Sequence, residues 1–159
     1  MSFKTCCAIC VVVSMYAGAE EWRVSGEPHF TQASSDQSQS ASAELVTVEQ
    51  LKAKMARHEP VTIIDVRGTD DFNGSRSKIK GAVRVKLRKL RYRLGFPPLK
   101  EVPRDREVVT YCACPNDEAS VLAAQILATA SFKRVRVLKG GWQAWLRAKG
   151  PLDGKQKGL

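Results

Sequence analysis

Two thiols one residue apart, Cys112 and Cys114, are the side chains in this sequence best suited to chemistry. They sit in Val108-Val109-Thr110-Tyr111-Cys112-Ala113-Cys114-Pro115-Asn116-Asp117-Glu118-Ala119-Ser120. The β-branched run before Cys112 predicts a strand, and the alanine- and leucine-rich segment 119–130 predicts a helix. Such a turn puts the Cys112 thiol at the carboxyl end of a strand, facing the free N–H groups and positive dipole end of a helix. Ligands bind at that edge of open α/β sheets, and thiols in such places ionise more readily than free cysteine. Cys112 is therefore the candidate nucleophile. Ala113, Cys114, Pro115, Asn116, Asp117, Glu118 and Ala119 form the loop around it.

The rest of the chain supplies elements to hold that loop. Thr47 with Gln50 three residues on reads as a capping box, and Val48, Leu51 and Met55 continue at helical spacing to about Arg57. Pro60 ends that helix. Val61-Thr62-Ile63-Ile64 is a continuous apolar run of the kind found in strands buried on both faces. Asp65-Val66-Arg67 follows, and the segment with Asp70, Asp71, Phe72, Asn73 and Gly74 reads as a polar turn. Segment 79–85 reads as a turn into a short strand. Leu87, Leu90 and Leu94 share one helical face, with Lys86, Arg88, Lys89, Arg91 and Arg93 around the remainder, until Gly95-Phe96-Pro97-Pro98 stops the helix. A turn at 103–106, the strand Glu107–Tyr111 and the helix after the cysteines come next. Then follow a strand at 134–138, the pair Gly140-Gly141, and a last helix with Trp142, Trp145 and Leu146 on one face, closed by Gly150-Pro151. Strands alternating with helices imply a parallel sheet covered on both faces.

The 159 residues suffice for one domain with a real core, and the hydrophobic content of 43% is that of a globular protein. Residues 1–19 read as a signal peptide: Lys4, an apolar stretch from Thr5 to Tyr16, then the small-residue pattern Ala17-Gly18-Ala19. That stretch is shorter than the roughly 20 residues of a spanning helix, so an exported protein is expected, with the bacterial periplasm the natural compartment. Residues 20–43, rich in serine and glutamine, read as a flexible linker, 44–153 as the domain and 154–159 as a tail. Cys6, Cys7 and Cys10 would leave with the signal. The remaining pair is neither a disulfide framework nor a four-ligand zinc set. The net charge of +10 is concentrated between Arg76 and Arg106. It suits a solvated face or the attraction of small anions. Export argues against nucleic acid, and contact of the basic helix with a membrane stays open. A monomer is expected.

From Glu44 to Asp153 the sequence resembles a rhodanese-like domain. Ile63-Ile64-Asp65-Val66-Arg67, then Asp71-Phe72 and Ile79-Lys80-Gly81-Ala82, is similar to the family's Asp-Val-Arg, acidic-Phe and His-Ile-Pro-Gly-Ala pattern, with Lys78 and Lys80 where histidine and proline are common. Val109-Thr110-Tyr111-Cys112 matches the strand delivering the family's cysteine. Val137-Leu138-Lys139-Gly140-Gly141-Trp142-Gln143-Ala144-Trp145 matches its closing signature. The resemblance implies an α/β domain of three layers, a five-stranded parallel sheet flanked by helices. It also implies sulfurtransferase activity through a persulfide on Cys112. A small donor, thiosulfate or a persulfide, would load the sulfur, and a thiol or protein acceptor would take it. No metal or organic cofactor is required.

The loop departs from the family's usual Cys-Arg-x-Gly-x-Arg type. It has no arginine, and it resembles a subset with Cys-Ala-Cys-Pro-Asn-Glu, carrying one further acid. Asp117 and Glu118 suit a helix N-terminus, yet negative charge near the sulfur opposes thiolate formation and repels thiosulfate. This favours a neutral donor or a protein-bound persulfide. Cys114 is read two ways, as the group that resolves a persulfide or sulfenate on Cys112 or as packing under the loop. A disulfide between the two must bridge about 5.5–6 Å between Cα atoms over a single residue, and strain is expected in it. Asp65 and Arg67 are read as a structural pair at the strand end, with support of catalysis the alternative. Ser120 and Asn116 are candidate hydrogen-bond partners of the sulfur, and Trp142 and Trp145 are core. A low-turnover binding module and a thiol–disulfide redox protein are the alternative functions. Phosphatase chemistry fits least, because Glu118 stands where a phosphate-binding loop of this length would end in arginine.

Overall fold

The computed structural model describes residues 43–154, and the signal and linker readings on 1–42 lie outside them, as do 155–159. Five parallel strands form the main sheet in the order β1 (Glu44–Val46), β6 (Arg134–Leu138), β5 (Glu107–Tyr111), β2 (Val61–Asp65) and β4 (Val83–Arg84). The central strand β5 is buried at all five positions. Thr62 lies opposite Val108 and Asp65 opposite Tyr111, while Thr110 lies opposite Val137. Side chains alternate across the pleat. Ile63, Val109 and Tyr111 therefore enter one apolar layer with Leu51, Trp142 and Trp145, and Ile64, Val108 and Cys112 enter the other with Leu90, Ala123 and Leu127.

The first layer is covered by α1 (Val48–Ala56) and α5 (Gly141–Arg147), the second by α3 (Leu90–Arg93) and α4 (Glu118–Thr129). The capping box forms as read: Gln50 N–H donates to Thr47 Oγ1 at 3.2 Å and Thr47 N–H to Gln50 Oε1 at 2.9 Å, a cap worth about 1 kcal/mol. Ser120, Ala123, Ala124 and Leu127 are the buried stripe of α4, the i, i+3, i+4, i+7 spacing of a helix laid on a sheet.

Two local readings are corrected. The segment around Asp70–Gly74 is not a turn but a short helix, α2 (Thr69–Gly74), with Asp70 and Asp71 in its first turn, where acids complement the dipole. The basic helix is shorter than read: a 3-10 turn at Leu87–Lys89 leads into the single α-helical turn of α3. Segment 79–85 is a turn into the short strand β4, as read, and an unread strand precedes it. β3 (Ser77–Ile79) pairs antiparallel with β7 (Leu152–Gly154) in a separate two-stranded sheet, and only β4 joins the main one. Strands of two or three residues are too short to show a period.

At the amino end of the sheet, Glu107 is 2% exposed. Lys54 Nζ donates to its Oε2 at 2.8 Å and Arg134 Nη2 at 3.3 Å, and Arg136 lies at 3.4 Å without hydrogen-bond alignment. This cluster anchors α1 to the sheet at the end opposite the cysteines.

Candidate functional site

Cys112 follows directly on β5, so the fold sets its thiol at the carboxyl end of the central strand. It is 1% exposed, and its sulfur faces the start of α4. The backbone around it is held from both sides. Val66 N–H donates to Tyr111 O at 2.9 Å, and Trp142 N–H donates to Cys112 O at 2.8 Å. The second bond requires Gly141, whose φ is +48° and whose would-be Cβ would collide with Cys112 O. Only glycine allows that approach.

The six residues from Ala113 to Glu118 carry the chain from β5 into α4. Asp117 is the residue before the helix, in the left-handed region at φ 54°. Its Oδ2 accepts from Gly140 N–H at 2.8 Å, and its Oδ1 is buried beside Gly141. Its carboxylate thus ties the cysteine loop to the turn before α5. Glu118, Pro115 and Asn116 are exposed.

Ser120 Oγ lies 2.8 Å from Asp117 O and 3.4 Å from Cys112 Sγ. A hydroxyl has one proton to donate, so it bonds the carbonyl or turns to a sulfur that carries negative charge. Ala119 N–H, in the first turn of α4, donates to Cys114 Sγ at 3.5 Å. Cys112 and Cys114 are disulfide-bonded with their Cα atoms 5.8 Å apart, within the range such bonds need.

Asp65 and Arg67 form a buried pair at the carboxyl end of β2, beside Tyr111 and Trp142. Both are buried, at 0% and 1% exposure. Arg67 Nε and Nη2 grip the carboxylate at 3.0 and 2.7 Å, and Nη2 also donates to Ser77 O. The guanidinium lies 4.1 Å from the Trp142 ring centroid and 5.1 Å from that of Phe72, so π faces meet the part of the cation the carboxylate does not. Tyr111 Oη donates to Asp65 Oδ2 at 2.8 Å and accepts from Ile79 N–H at 3.3 Å. Burial first, then the negative charge of Asp65, push the Tyr111 phenol well above its ordinary range. Asp65 and Arg67 thus hold the structural positions read from the sequence, and Trp142 and Trp145 are core. Leu146, read on the same helix face, is exposed, because it follows Trp145 by a single residue, about 100° around the helix.

Beside this pair, Thr69, Phe72, Arg84, Lys86, Lys89 and Arg93 help line a cavity of about 380 Å³. Arg84 pairs in register with Asp65, which in turn pairs with Tyr111, so Arg84 lies two strands from Tyr111. At about 4.8 Å per strand, its backbone lies roughly 10 Å from that of Tyr111. Burial draws the Arg84 guanidinium below its ordinary value, opposed by Asp65. Among the described residues, no group of three or more His, Cys, Asp or Glu is placed to hold a metal ion, and no helix is long and apolar enough to cross a membrane.

The sequence reading missed the contribution of Gly140, Gly141 and the Trp142 N–H to the site, and the tether made by Asp117. The glycine pair was the available signal.

A parallel α/β sheet with a cysteine closing its central strand defines a class of thiol-bearing domains. Residues 47–148 match the model of the Rhodanese-like domain, and the chain belongs to that family. A relative named Sulfurtransferase from Allochromatium vinosum is 29% identical over 99 residues, 62% of this chain and 84% of the relative. The crystal structure of the Alr3790 protein from Anabaena sp. is 31% identical, with a TM-score of 0.58 over 69% of this chain and 82% of that one. A protein of Rhodopseudomonas palustris described as a possible tyrosine phosphatase is 26% identical, with a TM-score of 0.57 over 70% of this chain and 86% of that one. Family and sulfurtransferase relative together support a sulfur-transfer role in general.

Proposed function

We propose that the protein is a sulfurtransferase whose reduced Cys112 takes the outer sulfur of a donor as a persulfide and yields it to an acceptor. The observation that carries this reading is the seat of Cys112: last out of the central strand, facing the first turn of α4, with the Ser120 hydroxyl 3.4 Å from its sulfur. The thiolate attacks the terminal sulfur of the donor. The S–S bond breaks and its electron pair leaves with the donor remnant, sulfite when the donor is thiosulfate. An acceptor thiolate or cyanide then attacks the carried sulfur and frees Cys112. The Ser120 hydroxyl and the N–H groups at the start of α4 offset the charge on sulfur.

Arg84, Lys86, Lys89 and Arg93 supply, from the neighbouring cavity, the positive field that the loop lacks. They hold an anionic donor or the acidic groups of a protein-bound one. Glu118 and the loop's lack of arginine argue against a phosphate substrate. The reading extends to an exported protein, on the strength of residues 1–19, acting as a monomer in a compartment such as the periplasm, where Cys112 needs a reductant. The test is steady-state transfer to cyanide and to a small thiol from thiosulfate and from a low-molecular-weight persulfide. Wild-type turnover with at least one donor, absent in Cys112→Ser, is expected. Equal rates in the two proteins would rule the reading out.

A further inference from the structure

We propose that Cys114 resolves the Cys112 persulfide, so that the domain releases the carried sulfur as hydrogen sulfide and is left as the Cys112–Cys114 disulfide. This makes it a persulfide reductase driven by thiols, and it rests on the persulfide reading above. The structure carries it through the pairing itself: the two sulfurs are bonded across one residue, with Cα atoms 5.8 Å apart. Cys114 Sγ therefore reaches Cys112 Sγ without any larger rearrangement of the domain. The surroundings divide the two roles. Cys112 is 1% exposed beneath the loop, whereas Cys114 is partly exposed. The α4 N–H of Ala119 points at the Cys114 sulfur at 3.5 Å, and Asp117 N–H donates to Cys114 O at 3.3 Å, fixing the residue in the turn.

The chemistry balances without an external oxidant. The Cys114 thiolate attacks the inner sulfur of the Cys112 persulfide. A Cys114–Cys112 bond forms, the bond to the outer sulfur breaks, and its electron pair leaves as hydrosulfide, protonated by solvent. The two cysteines are oxidised and the sulfane sulfur is reduced. A thiol then resets the site. It attacks the partly exposed Cys114 sulfur and expels Cys112 as the thiolate beside the Ser120 hydroxyl. A second thiol, ideally the other half of a dithiol, removes the mixed disulfide. Because Cys114 is held at contact, it competes with free acceptor thiols at an effective concentration far above theirs.

The experiment uses the full chain, reduced, desalted and kept anaerobic, given cysteine persulfide as the probe and then stripped of it. Sulfide release and intact mass are read on wild type, Cys114→Ser, Cys114→Ala and Cys112→Ser. The expected result is sulfide release from wild type close to one per chain, with a mass lower than the reduced protein by two hydrogens. Both Cys114 variants should hold an added sulfur and release none until a thiol is supplied. Wild type that keeps its added sulfur as the Cys114 variants do would overturn the resolving role and leave the persulfide reading standing. Cys114 variants that never gain sulfur, or gain it equally when Cys112 is replaced, would remove the persulfide reading and this inference with it.

Discussion

Asp65→Asn is the substitution whose cost the structure fixes most directly. It keeps the volume and one acceptor oxygen and removes the charge. Arg67, 1% exposed and gripped at 2.7 Å, would be left as a buried cation. Arg84 Nη1, 4.0 Å from the same carboxylate, would become a second cation without a counter-charge. The rings of Trp142 and Phe72 already contact Arg67 in the wild type, so they offer no new compensation. Breaking a buried ion pair by removing one partner costs about 3–5 kcal/mol, a large share of the roughly 5–15 kcal/mol that holds a domain together. Replacing both residues, Asp65→Asn with Arg67→Met, removes the stranded charge and should recover about 2 kcal/mol or more. Urea denaturation of the three proteins gives these differences, provided the slopes agree. A single-variant loss below about 1 kcal/mol, or a double variant no more stable than the single, would refute this account of the buried pair.

Gly141→Ala should lower both stability, by about 1–3 kcal/mol, and sulfur transfer, since the added Cβ meets Cys112 O and forces the loop outward. Unchanged denaturation and unchanged turnover would show that the approach is not a constraint. The raised Tyr111 ionisation means that the unfolded chain loses the phenolic proton above about pH 10 while the folded chain keeps it. Stability should therefore fall with pH there, by up to about 1.4 kcal/mol per pH unit. Tyr111→Phe should flatten that slope, read from denaturation curves at several alkaline pH values. Charge reversal at Lys86 and Lys89, which line the basic cavity, should raise the KM for thiosulfate by roughly tenfold at low salt and leave that for a neutral persulfide nearly unchanged. An equal effect on both donors would detach the cavity from donor binding.

Most of what organises this domain was legible because it repeats. The β-branched runs at 61–64 and 107–111 and the helical stripes after Thr47 and Ala119 bury enough side chains to impose a period, and each forms where read. The strands β1, β3 and β7 were not read because three residues carry no period. They are specified by pairing with residues far away in sequence, Val46 with Leu138 and Ile79 with Leu152. The site divides in the same way. Cys112 was legible from its place at a strand end, whereas the Asp117 carboxylate bonds a backbone N–H twenty-three residues on. Its residue type suggested only a helix-start acid. Asp117 and Glu118 were both read as charges set against the thiolate; the structure turns the Asp117 carboxylate to Gly140 N–H and leaves Glu118 exposed.

The central claim is that Cys112 carries the sulfur, and peptide mapping tests it most directly. Reduced full-length protein is treated with a donor and then alkylated, and the peptide spanning Tyr111 to Glu118 is sequenced by mass spectrometry in wild type and in Cys114→Ser. The account predicts an added sulfur on Cys112 in Cys114→Ser, and in wild type either that adduct or its Cys112–Cys114 disulfide successor. An added sulfur found on Cys114 in the wild type and lost from Cys114→Ser, with Cys112 unmodified in both, would contradict it.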